Sequence, residues 1–265
     1  MKLICLVFIS FALGLQTAKA DTWESPKPFS VHSSKSNFVA RVEPGSFAPT
    51  KQKPVLTVFT VAAGVQVEQW KVELANLFSP VTVLISDDGQ YVVTLDDHSS
   101  VGCGDTVLAF YAKQGLIKKR SLEEVLAEVQ PQVRESDYRN LFTHSVSSRH
   151  WRERGVMLFD GIGANIRFGI WLDWTAQWLV WRLSDGSAVK LSPQESRIWK
   201  SRGLSWARAA LAEPEVPGRP AREEFRQWTV TAMEWSRRVR ARFHNQITAC
   251  RYLAYSKDPG DLELL

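Results

Sequence analysis

The sequence predicts a mainly β protein, built from repeated antiparallel segments and continued by a helical C-terminal extension. Three observations predict this class. Short runs alternate apolar and polar residues, Gly-containing turns separate the runs at a recurring rhythm, and Ala221 to Ala254 contains neither Pro nor Gly. With 265 residues, 45% of them hydrophobic, the chain suits one large domain or two unequal ones.

The clearest repeat copy runs Val83-Leu-Ile-Ser-Asp-Asp-Gly-Gln-Tyr-Val-Val-Thr-Leu95, two alternating segments around an Asp-Gly turn. Thr106 to Tyr111 follows as a strand, Lys113-Gln114-Gly115 turns it, and Leu116-Ile117 opens the next. An earlier copy has Val31 to Val42 as strand, polar turn and strand, then Val55 to Val61, a turn at Ala62-Ala63-Gly64, and Val65 to Val72. A later copy has Val156 to Phe159, a turn over Asp160 to Gly163, Ile166 to Leu172, Trp178 to Leu183, a turn at Ser184-Asp185-Gly186, and Ala188 to Leu191. Gly64, Gly115 and Gly186 hold the same place in each copy. An insertion before the third copy makes the spacing unequal.

Ser86-Asp-Asp-Gly-Gln-Tyr-Val92 resembles the Ser-x-Asp-Gly-x-Tyr hairpins of β-propeller blades of the WD type. The stretch from Ser79 to Leu126 is also similar to an uncharacterised group of exported bacterial proteins. The resemblance implies propeller-blade-like repeats. Three copies fall short of the roughly four to eight blades of a closed propeller, so the expected array is incomplete. The alternative architecture is a β-sandwich with helices.

Two capping boxes mark helix starts, at Ser121-Leu-Glu-Glu124 and at Ser192-Pro-Gln-Glu195, the latter with Pro at the first helical position. Pro131 interrupts the first helix, and Gly203 is expected to stop the second. Pro214, Pro217, Gly218 and Pro220 read as a linker. Beyond it, Arg222 to Ala254 is expected to be largely helical and to dock by a stripe of Phe225, Trp228, Met233, Trp235, Val239, Phe243, Ile247 and Cys250. The tail from Ala249 resembles a single HEAT-type helical repeat.

The N-terminus has the order of a secretory signal: Lys2, an apolar run from Leu3 to Leu15, and Ala18-Lys19-Ala20. Cleavage between Ala20 and Asp21 would leave no further apolar run of the roughly 20 residues a bilayer span needs. The expected division is therefore a signal over 1–20, a β-repeat domain over 21–200 with an inserted helix near 121–130, a helix and Pro-rich linker over 204–220, and a helical segment over 221–265. The expected location is the periplasm or the exterior of a bacterium. A formal charge of +5 falls to +3 once Lys2 and Lys19 leave, too mild to argue for nucleic acid. Cys103 and Cys250 would remain, two thiols that make no disulfide framework.

No H-E-x-x-H, G-x-S-x-G, G-x-x-x-x-G-K-[ST] or C-x-x-C occurs. Four weaker groups remain. Asp96, Asp97, His98 and Asp105 bring carboxylates and an imidazole to one Gly-containing loop with Cys103, as a calcium or zinc site would need, although the same residues suit a solvated turn. His144 to Trp151 offers two His, three Ser and an Arg for an anion or a hydrolase site, or is a polar loop. Trp171, Trp174, Trp178 and Trp181 would stack on a flat ligand if exposed, or pack a core. They fit one helical face, whereas on strands Trp178 and Trp181 point to opposite sides. Arg237, Arg238, Arg240 and Arg242 make a basic helix face for weak contact with an anionic surface, or a solvated one. No cofactor is expected. The leading reading is an exported non-catalytic binding or scaffolding module for a protein or polymer ligand. The alternative is an exported hydrolase or metal-dependent enzyme using the loop from Asp96 to Asp105.

Overall fold

Where the sequence alternates, strands form, and each glycine turn folds one strand back on the last. The computed structural model describes residues 25–46, 52–98, 104–129, 154–161, 163–172, 177–212, 242 and 245–254. They build three antiparallel sheets from eleven strands. Sheet 1 holds β1 (Phe29–His32), β2 (Phe38–Glu43), β3 (Val55–Ala62) and β4 (Val65–Glu73). Sheet 2 holds β5 (Pro80–Ile85), β6 (Tyr91–Asp97), β7 (Leu108–Ala112) and β8 (Gly115–Arg120). Sheet 3 holds β9 (Arg154–Asp160), β10 (Arg167–Leu172) and β11 (Gln177–Arg182). Each strand pairs with its chain neighbour, so every sheet is a meander.

Ala188 to Leu191 was expected to add a fourth strand to sheet 3, but only one bridge forms there, Trp181 opposite Ala188. The Arg182 N–H donates to Ser187 O at 2.9 Å and the Val189 N–H to Val180 O at 2.7 Å. Ser192 then caps α2 (Pro193–Leu211), and the chain turns away before the strand can lengthen.

The first hairpins of sheets 1 and 2 share one turn geometry. The Ser33 N–H donates to Phe38 O and the Ser86 N–H to Tyr91 O, at 2.9 and 3.0 Å. In return each serine hydroxyl accepts the aromatic residue's N–H, at 3.2 Å for Phe38 and 3.0 Å for Tyr91. The third turn residue is left-handed in both, Ser36 with φ 59° and Gly89 with φ 65°. Gly89 has a further constraint: a Cβ there would overlap the Phe38 ring.

The second hairpin also joins the sheets. Asp87 accepts from Ser34 Oγ at 2.6 Å and from the Lys35 N–H at 3.2 Å, tying it to sheet 1. Trp70 Nε1 of β4 donates to Gly89 O at 2.9 Å. Asp88 accepts from the Gly163 N–H at 3.3 Å, reaching sheet 3 at the short 3₁₀ turn Gly163–Asn165.

Sheet 2 lies between the other two. One face, with Val92, Ala109 and Tyr111, packs on Ala40, Val42, Leu56, Val58 and Trp70 of sheet 1. The other, with Val93, Leu95, Leu108 and Phe110, packs on Phe168, Ile170, Leu179 and Trp181 of sheet 3. Strands buried on both faces need apolar residues at nearly every position. That is why Leu108–Ala112 is buried throughout. Leu122 and Val125 of α1 (Leu122–Val129) join the second core, and the capping box at Ser121 and Glu124 closes as expected.

Helices cover the outer face of sheet 3, where Val156 and Trp171 meet Ala207 and Ala210 of α2 and Ala249, Tyr252 and Leu253 of α3 (residues 245–254). Two expectations are corrected here. Gly203 does not stop α2, which runs on to Leu211. A Cβ at Gly203 would overlap the Tyr252 ring, so the glycine lets two helices approach. The docking stripe of α3 is also rotated from the expected one. Ile247 is exposed and Cys250 half-buried with a free thiol, while Thr248, Ala249, Tyr252 and Leu253 are buried. The signal junction at Ala20 and Asp21, the segment His144 to Trp151, and Trp174, Cys103, Phe225, Trp228, Trp235, Arg237, Arg238 and Arg240 lie outside the described residues.

Candidate functional site

Trp171 of β10 and Trp178 of β11 stand directly opposite each other across the ladder. Residues facing each other share a sheet face, so both rings project toward the helices. Trp181, three residues on, points to the other side and is fully buried between Phe110 and Phe168, at 6.0 and 6.3 Å between centroids. This is the opposition that the strand reading expects. Of the four tryptophans, Trp171 and Trp178 are thus brought together and Trp181 is separated from them.

Tyr252 of α3 completes the cluster. Its ring lies 4.7 Å from Trp171 edge-on and 6.1 Å from Trp178, and Trp199 of α2 lies 5.1 Å from Trp178. Trp178 Nε1 donates to the Tyr252 hydroxyl at 3.2 Å, and that hydroxyl donates to Lys200 O at 3.1 Å. Burial pushes the Tyr252 phenol up to about 12, so it stays a neutral donor. Trp171 is 3% exposed, whereas Trp178 is half-buried and turns one side to solvent.

That side faces an open groove of about 760 Å³, within the size range of ligand sites. Gln177 to Val180 of β11 line it, with Ala188 to Leu191, Lys200 of α2 and Tyr252 of α3. Glu128 of α1 lines it too. Its carboxylate accepts from Trp181 Nε1 at 2.7 Å and pairs with Arg120. Burial raises the Glu128 pKa, against the pull of Arg120 and the indole. Lys190 is exposed on the rim. The groove thus offers an aromatic surface, ammonium groups and a length of strand edge. Its described lining contains Ser196 but no His or Cys to activate it. Sequence reasoning found Trp171 and Trp178 but not Tyr252, Glu128, Lys190 or Lys200. The signal was faint: a tyrosine in a helix of small residues.

A charge network fixes α2 beside this groove. Arg167 of β10 bonds Asp160 and Glu195, each at 2.8 Å, and Arg202 pairs with Asp160 at 2.8 Å. The Arg167 guanidinium also lies 5.9 Å from the centre of the Trp199 ring. The Ser192 N–H and hydroxyl, then Arg167, hold the Glu195 carboxyl down at about 2, below its ordinary 4.5. A depressed carboxyl stabilises the fold fully above its unfolded value and loses that contribution as the pH falls through the folded one. Glu195→Gln should therefore melt below the wild type at pH 7, and the gap should close between pH 4.5 and 2. Thermal melts across that range check it. A gap independent of pH would mean the carboxylate charge is not what holds the helix start.

The loop from Asp96 to Asp105 is described at its two ends. Asp96, with φ 58°, and Asp97 are both buried. Asp97 accepts the N–H of Leu77 and, at 3.4 Å, that of Phe78, so its carboxylate caps the connector into β5. Asn76 donates to Asp96 O at 3.0 Å, and the Tyr111 hydroxyl accepts the Ala75 N–H at 2.8 Å. The His98 N–H donates to Ser79 O at 2.8 Å. Asp105 instead pairs with Lys119 of β8 at 3.4 Å. β5 and β8 are opposite edges of sheet 2, so Asp97 and Asp105 are engaged on different sides. Among the described residues no three His, Cys, Asp or Glu side chains gather as a metal would need. Arg242, the described member of the arginine group, is half-buried in helix. Among the described residues no helix is long and apolar enough to cross a membrane.

No protein-family model matches the chain, and no curated protein matches it.

Proposed function

We propose that the chain is an exported, non-catalytic binding or scaffolding module for a protein or polymer. In this reading the three sheets are propeller-like blades of an incomplete array, and the groove on sheet 3 is the binding site. The observation that supports it is Trp178, which exposes part of an indole to a groove rimmed by Lys190 while Trp171 and Tyr252 brace it from behind. A braced aromatic costs little entropy when it takes up a ligand, which is why such rings dominate recognition sites. The shared turn of Ser33 to Phe38 and Ser86 to Tyr91 supports the blade reading. The loop of Asp96 to Asp105 spends its buried carboxylate on backbone N–H groups, which favours binding over metal chemistry.

The test uses arrays of short peptides and oligosaccharides probed with the protein. At least one class should be retained with Kd below about 100 μM, and Trp178→Ala should weaken it tenfold or more. Arg41→Ala, on the exposed far side of sheet 1, should leave it unchanged. Retention that survives Trp178→Ala overturns the site. Hydrolysis of an arrayed bond that is lost in Asp97→Ala and His98→Ala overturns the non-catalytic reading.

A further inference from the structure

We propose that the groove on sheet 3 takes an extended acidic peptide as an added β-strand along β11; the inference rests on the groove being the binding site. It begins with a comparison of three sheets. The fourth strand is nine residues long in sheet 1 and six in sheet 2, and in sheet 3 it is a single bridge. β11 runs Gln177–Arg182. Its half from Val180 to Arg182 lies beside Ser187 to Val189. The other half, Gln177 to Leu179, has no strand on its outer side among the described residues, because the chain leaves at Lys190 to start α2.

Backbone direction alternates along a strand. Val180 O accepts from Val189 and therefore points outward. Two residues earlier, the N–H and C=O of Trp178 point outward by the same alternation, and no hydrogen bond joins them to a described residue on that side. Gln177, Trp178 and Leu179 line the groove. A sheet edge with open donors and acceptors is a template for one more strand. The groove is therefore the place where the fourth strand of sheet 3 is missing, and an extended segment of a few residues completes it.

The side chains of such a strand alternate between two surroundings. One set lies over the half-exposed Trp178 ring and is apolar or aromatic. The lining carries the exposed Lys190, and its carboxylate, Glu128, already has Arg120 as its partner. The complementary peptide is acidic, with carboxylates between its apolar residues.

The test titrates the full chain into three fluorescein-labelled pentapeptides and follows anisotropy. One alternates Glu and Val, one Lys and Val, and the third is the Glu/Val peptide with every backbone amide N-methylated. The Glu/Val peptide should bind, the Lys/Val peptide at least tenfold more weakly, and the N-methylated peptide should lose tenfold or more. Lys190→Glu should weaken the Glu/Val peptide at least tenfold while leaving the melting temperature unchanged, because Lys190 is exposed. Equal binding of the N-methylated peptide, indifference to Lys190→Glu, or no binding of the Glu/Val peptide up to about 1 mM each overturn the inference. Should peptides fail while oligosaccharides stay bound in a Trp178-dependent way, the added strand falls and the groove stands. Failure of both removes the groove as well.

Discussion

Trp181→Ala is expected to lower the stability of the protein by about 4 kcal/mol, at the upper end of large-to-small core replacements. Trp181 is fully buried where sheets 2 and 3 meet, within 6.0 Å of the Phe110 ring and 6.3 Å of the Phe168 ring. Its removal leaves a void that two β-sheets cannot collapse to fill without losing register. It also takes the indole donor from Glu128, which then keeps only Arg120 in a half-buried place. Trp181→Phe retains most of the packing and loses that hydrogen bond, so about 1–2 kcal/mol is expected. Urea denaturation of both variants measures the difference. If Trp181→Ala costs under about 1 kcal/mol, far below the usual cost of emptying a core, sheets 2 and 3 do not pack through this residue.

Gly89→Ala should cost about 2–5 kcal/mol, from two sources. A left-handed φ, here 65°, costs an ordinary residue about 1–2 kcal/mol. The added methyl meets the Phe38 ring of sheet 1, and overpacking adds about 1–3 kcal/mol. Gly64→Ala separates the two. Its φ is 80°, yet nothing lies within 4 Å of the new methyl, so only the backbone cost of about 1–2 kcal/mol applies. Equal losses at the two positions would show that the hairpin of Asp87 to Gly89 does not press on sheet 1.

What the sequence shows well is what local chemistry decides. Asp87-Asp88-Gly89 between alternating runs specifies a hairpin, and the two capping boxes specify where α1 and α2 begin. What it hides depends on partners far along the chain. Gly203 carries the usual mark of a helix end, but its reason is Tyr252, about fifty positions away, and only the packed structure supplies that ring. The apolar stripe read for α3 takes in Ile247 and Cys250, whereas the buried face is Thr248, Ala249, Tyr252 and Leu253, because Trp171 and α2 decide which side is covered. The cluster of acids from Asp96 to Asp105 has the composition of a site. Its carboxylates are divided between two sheet edges, a separation that composition does not record. The groove was half visible. Trp171 and Trp178 are plain in the sequence, but the break in the fourth strand beside them becomes a feature only when three sheets are compared.

The stacking of the sheets makes the molecule nearly one-dimensional. Among the described residues, the core clusters give sheet 2 two interfaces. They join sheet 3 to sheet 2 on one side and to the helices on the other, and they join sheet 1 to sheet 2 alone. In such an array stability is close to a sum of layers and the contacts between neighbours. Opening therefore starts at the ends, sheet 1 and the helices, and it leaves the middle until last. The amides of β2 and β3 should exchange with solvent deuterium through a partial opening that spares the rest, and those of β6 and β7 only through loss of the whole fold. On this expectation the layer of sheet 1 opens by itself while sheet 2 and sheet 3 stay joined.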